Sequence, residues 1–255
     1  MKKFLIVLLF QSCICLCKGQ YWQQRVNYII DVNLNDKEKS LDAFEKLTYL
    51  NNSPDTLSFI WFHLWPNAYK NDRTSFSDQM LLNGNTSFYF SDKDQKGYIN
   101  RLDFKVDGTT AKTEDHRQYT DVIKLLLPKQ LLPGQQVQIT TPFHVKLPFN
   151  FSRGGYDSST FQITQWYPKP AVYDSKGWHP MPYLDQGEFF SEFGSFDVRI
   201  TVPKEYTIAA TGNIQNPADT IGSGISATIT KKLPPKKKPL AIHNRNIKKP
   251  KPVSY

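Results

Sequence analysis

Five histidines, His63, His116, His144, His179 and His243, are the side chains best suited to acid–base work or metal ligation near neutral pH. None has a second His or a Glu at the spacing that sets two ligands on one helix face, and His-Glu-x-x-His does not occur. A Gly-rich phosphate loop and a Gly-x-Ser-x-Gly elbow are absent as well. His63 sits inside an apolar run, which predicts a core or strand-end histidine making one hydrogen bond. His144 alternates outward on its strand, His243 lies in a basic tail, and His179 belongs to an aromatic loop, Trp178-His179-Pro180, read as surface. Asp185, Glu188 and Glu192 flank Phe189 and Phe190, but nothing in the sequence fixes the separation that a carboxylate pair needs. A solvated loop is the expectation there.

All three cysteines, Cys13, Cys15 and Cys17, fall in the first twenty residues, after Lys2-Lys3 and an apolar run over 4–10 and before Lys18-Gly19-Gln20. A charged start, a short apolar centre and a small polar exit describe a secretory signal, so an exported protein, periplasmic or extracellular, is expected. The run is too short for a stable membrane span. Phe10-Gln11-Ser12 ahead of Cys13 matches a lipoprotein signal poorly, and lipidation at Cys13, Cys15 or Cys17 is left open. Cleavage near Gly19 would leave a mature chain without disulfides, thiolate zinc sites or cysteine nucleophiles.

The formal charge of +9 invites a nucleic-acid partner until the charges are located. Three of the 32 Lys and Arg lie in residues 1–20 and nine in 231–255, which leaves 20 against all 23 acidic residues in between. A basic face on the body, and with it nucleic-acid binding, is not expected. Residues 231–255 are Lys-Pro pairs that cannot bury enough apolar surface to offset ordering, so they read as a disordered tail or linker.

Between these ends the period is two, which predicts an all-β, antiparallel domain over 21–230. Val26 to Leu34, Leu102 to Val106, Val137 to Leu147 and Phe196 to Val202 each alternate apolar with polar residues. The nearly unbroken apolar run over 57–65 predicts a central strand buried on both faces. Residues 75–82 predict one short helix, capped by Ser75 or Ser77.

Two stretches are specific beyond composition. Residues 59–69 read Phe-Ile-Trp-Phe-His-Leu-Trp-Pro-Asn-Ala-Tyr. Residues 161–174 read Phe-Gln-Ile-Thr-Gln-Trp-Tyr-Pro-Lys-Pro-Ala-Val-Tyr-Asp, followed by Gly-Trp-His at 177–179 and Glu-Phe-Gly-Ser-Phe-Asp-Val at 192–198. With Leu-Leu-Pro-Gly-Gln at 131–135, they resemble the N-terminal saddle-like β domain of aminopeptidase N-type zinc metallopeptidases, in the form exported by Bacteroidetes-like bacteria, over about residues 21–215. The resemblance implies a β domain that packs on a thermolysin-like catalytic domain in cis and closes one wall of a peptide-substrate cleft. Zinc would belong to that catalytic domain, whose His-Glu-x-x-His and Gly-x-Met-Glu-Asn segments this sequence lacks, so no catalytic or metal residue is assigned here. The resemblance carries over one role: Gln165, or failing it Gln162, would reach the first substrate subsite, where an amide can meet a peptide amine or carbonyl. The competing expectation is a stand-alone exported binding module that docks through Tyr21, Trp22, Trp178 and Tyr183.

Overall fold

The computed structural model describes residues 21–158 and 160–216 in full and the backbone of 225–231. The signal-like segment with its cysteines, and the basic segment beyond Lys231 with His243, lie outside the described residues.

Alternation becomes strand wherever it runs longest. Val26, Tyr28, Ile30 and Val32 face inward along β1 (Arg25–Asn35). It is followed by β2 (Ser40–Leu50), β3 (Leu57–His63), β4 (Tyr98–Asn100), β5 (Lys105–Val106), β6 (Thr109–Thr110), β7 (Thr113–Asp115), β8 (Val122–Leu131) and β9 (Gln136–Lys146). Shorter pieces follow: β10 (Gly155–Asp157), β11 (Thr160–Gln162), β12 (Lys169–Pro170), β13 (Val172–Asp174) and β14 (Gly177–His179). The chain ends its described course in β15 (Phe196–Val202), β16 (Asn213–Ile214) and β17 (Ile225–Lys231).

A nine-stranded sheet runs β16-β17-β15-β1-β2-β9-β5-β6, with β4 also on β9, and a four-stranded sheet runs β12-β3-β8-β7. The core lies between them: Val26, Ile30, Leu47, Ile139 and Val145 from the larger sheet meet Ile60, Phe62 and Leu125 from the smaller. Pairing is antiparallel with one exception, since β1 and β15 run parallel. A second apolar cluster, Trp65, Tyr69, Phe76, Met80, Phe88 and Tyr183, packs under α1 (Ser75–Leu82).

Three local expectations are corrected. The run from Leu102 to Val106 yields only β5, because Arg101 turns through φ 58 and the Asp103 N–H goes to Thr141 Oγ1 at 3.0 Å rather than to a ladder partner. The cap of α1 is Thr74, whose Oγ1 accepts from the Ser77 N–H at 3.3 Å, not Ser75 or Ser77. β3 is central in its sheet, yet its two faces are unequally buried: Ile60 and Phe62 are fully covered, whereas on the other face Phe59 and Trp61 are half-buried and His63 is covered.

Candidate functional site

The two signature stretches meet through β12. Lys169 stands opposite His63 and Pro170 opposite Phe62 in the β12–β3 register, which lays residues 161–170 against residues 61–69. Trp65 opens a 3-10 turn, Trp65–Tyr69, whose start is set by Pro66. Its ring stacks on His63 at 4.5 Å, and its Nε1–H donates to the Met181 carbonyl at 3.1 Å. The Met181 N–H donates back to His63 Nε2 at 3.1 Å, so the proton of the neutral ring sits on Nδ1. Burial, then nearby Lys169, pulls His63 down to about 3, which removes it as a base at neutral pH.

Lys169 is the unexpected member. Only 4% exposed, it places Nζ 4.0 Å from the centre of the Trp65 ring and donates to Gln165 Oε1. Burial lowers its ammonium to about 7, against the pull of Glu45, which favours the charge. Glu45 projects inward from β2 at 1% exposure, and neither carboxyl oxygen has a hydrogen-bond partner, so burial raises it well above the usual carboxylate range. The phenols of Tyr28 and Tyr167 are likewise raised, first by burial.

Gln165 holds φ 52, a left-handed backbone that side chains other than Gly rarely adopt. It shares a pocket of about 20 Å³ with Gln162, Thr164, Trp166, Trp65 and Tyr183, which is room for one water. Gln162 ends β11, exposed, and accepts from Asn150 Nδ2 at 3.4 Å. The structure therefore brings both glutamines to one rim, Gln165 anchored and Gln162 loosely tied.

The remaining candidates do not converge. His179 Nε2 lies 2.9 Å from Asp174 Oδ1, which holds that carboxyl below its usual range. His144 Nδ1 lies 2.8 Å from Asp42 Oδ1, and His116 stacks on Tyr119 while its Nδ1 accepts from the Gln118 and Tyr119 N–H groups at 3.2 Å. Among the described residues no group of three His, Cys, Asp or Glu could hold a metal. The zinc that the resemblance implies was expected on the catalytic domain, not on these residues.

Glu192 is not in a solvated loop: it is 8% exposed, accepts from the Tyr173 N–H at 3.0 Å and is raised by burial to about 7. Asp121, which accepts from the Tyr183 N–H at 2.6 Å, is raised by burial to about 7 as well. Between their unfolded values near 4 and about 7, the folded state keeps protons that the unfolded chain releases. Their contribution is complete below about pH 4 and lost as pH rises through about 7. The unfolding free energy should therefore fall between about pH 4 and 7, and Glu192→Gln should lessen that fall by at least about 1 kcal/mol, as read from urea titrations.

Sequence reasoning missed Lys169, Glu45 and Asp121. A lysine between two prolines, Pro168 and Pro170, and a glutamate at an inward position of an alternating strand were the available signals. Tyr183, read as exposed, is 2% exposed, with its hydroxyl accepting from Tyr69 at 2.8 Å.

The chain is similar to M1 zinc metallopeptidases. One from Deinococcus radiodurans aligns at 17% identity and TM-score 0.47, over 83% of this chain and 40% of that one. A variant of a two-domain M1 zinc metallopeptidase bound to L-arginine aligns at 16% identity and TM-score 0.46, over the same 83% and 40%. The chain thus spans about 40% of the length of these solved chains. No protein-family model and no curated protein matches it.

Proposed function

We propose that this chain is the N-terminal β domain of an exported zinc metallo-aminopeptidase, and that it forms the wall of the substrate cleft on which Gln165 and Gln162 stand. The observation that carries this reading is the convergence of the two signature stretches, about a hundred residues apart in sequence, on the Trp65–Lys169–Gln165 site. The zinc-bearing domain is the expected partner in cis, and peptide N-termini are the expected substrates. Exposed Leu82, Phe90 and Phe193, at 86%, 75% and 60%, supply apolar surface that a partner domain would cover.

A second reading, a binding module that acts alone, has its own support. A strip of half-buried rings runs Trp22, Tyr173, Trp178, Phe59, Trp61, with centres 4.7 to 6.0 Å apart. Assay of a leucine anilide separates the cleft-wall role from a complete enzyme. The chain should release no aniline product with or without added zinc, and hydrolysis abolished by a chelator would overturn the assignment of the reaction to another domain.

A further inference from the structure

Lys169 lies in the second signature stretch with no role yet assigned to it, and it decides what Gln165 can do. An ammonium has three donors and no acceptor. The atom of Gln165 that meets Nζ must therefore be the amide oxygen, and the usual ambiguity between the two ends of a glutamine side chain is removed. With Oε1 engaged by Lys169, the amide has its two N–H donors left for other partners. The lysine has little freedom of its own: its backbone is in ladder with His63, its Nζ lies 4.0 Å from the Trp65 ring and 5.5 Å from the Tyr167 ring, and its side chain is covered.

We propose that Lys169 is a positioning residue that fixes Gln165 as a hydrogen-bond donor, so that position 165 meets a carbonyl or carboxylate oxygen of a bound peptide rather than its free amine. The inference rests on the reading that Gln165 faces substrate, and it deepens that reading by naming the atom contacted. It also makes the contact sensitive to pH. Of the groups near Lys169, His63 stays neutral and Tyr167 stays protonated around neutrality, whereas Lys169, lowered to about 7 by burial against the pull of Glu45, titrates there. A lysine that has lost its proton no longer compels the amide to turn its oxygen inward.

Nitrogen-15 NMR of the glutamine side chains, on the full chain, tests both parts. Two probes are used: N-acetyl-leucine amide, which offers carbonyl oxygens and no amine, and isopentylamine, which offers an amine and no oxygen. Without probe, the Gln165 amide signal should titrate near neutrality, and Gln162 serves as the internal reference. N-acetyl-leucine amide should shift Gln165 at least about twofold more than isopentylamine, and Lys169→Met should abolish both the titration and the preference. Lys169→Arg, permanently charged, should keep the preference and lose the titration, which a merely space-filling role would not produce. It also decides the matter if Lys169→Met fails to fold. A stronger response to isopentylamine, or an unchanged preference in Lys169→Met, overturns the inference while leaving Gln165 as a ligand contact. A Gln165 signal that titrates but answers to neither probe overturns the substrate-facing reading itself.

Discussion

Gly194→Ala should cost at least about 4 kcal/mol, at the exceptional end for a single substitution, or prevent folding outright. A Cβ at position 194 would lie 1.4 Å from the Val26 carbonyl oxygen and 2.6 Å from its carbon, which are backbone atoms with no rotamer to yield. The crossing is pinned on both sides, since the Val26 N–H donates to the Phe193 carbonyl at 3.1 Å and the Tyr28 N–H to the Ser195 carbonyl at 2.8 Å. These bonds start the only parallel pairing among the described strands, so a side chain there would part β1 from β15 along its whole register. Circular-dichroism melting should show a loss of roughly 10 °C or more, or no cooperative transition. Gly84→Ala is the control: its φ of 77 is strained for a side chain, but nothing lies within 4 Å, and about 1 kcal/mol is expected. Equal melting temperatures for the two variants would show that the crossing is not as close as described.

Trp65→Ala should cost about 3–5 kcal/mol, the range for removing a large buried ring. The ring is 1% exposed and packs the second apolar cluster against the end of β3: it stacks on His63, approaches Phe189 at 4.7 Å and Tyr183 at 6.4 Å, and holds Met181 through Nε1. It also covers one side of the Lys169 ammonium, so its loss should let water reach that group and raise its affinity for a proton. Trp178→Ala, at a half-buried ring, should cost no more than about 1.5 kcal/mol, in line with a partly exposed site. Urea unfolding of the two variants gives the comparison, and equal losses would mean that Trp65 does not anchor the second cluster to the end of β3.

How much of this was legible follows from where polar groups sit. Strands with a clean apolar face, β1, β9 and β15, declared themselves by alternation. β2 was hidden because Glu45 occupies an inward position, although Leu41, Leu47 and Tyr49 share that face and the strand pairs with β1 and β9 over its full length. β12 is two residues long and carries a proline, too little for any pattern, and it is nevertheless the element that docks one signature on the other. Gln165 and Gln162 were named from resemblance, and the structure places them on one rim. That Gln165 is held by a buried lysine was not readable, because lysine is ordinarily a surface residue and only packing reveals one that is not. Gly194 is the converse case: the motif containing it was recognised, and its physical reason, a backbone crossing with no room for a side chain, appeared only in three dimensions.

On the function proposed above, this chain is one wall of a cleft whose zinc chemistry belongs to another domain. Reading the nucleotide sequence downstream of the codon for Tyr255 tests that claim most directly. The result expected is a coding frame, continuous or displaced by one frameshift, that enters His-Glu-x-x-His and then a further zinc-binding Glu. A clean stop followed by unrelated sequence would contradict it and leave the stand-alone binding module as the function of this fold.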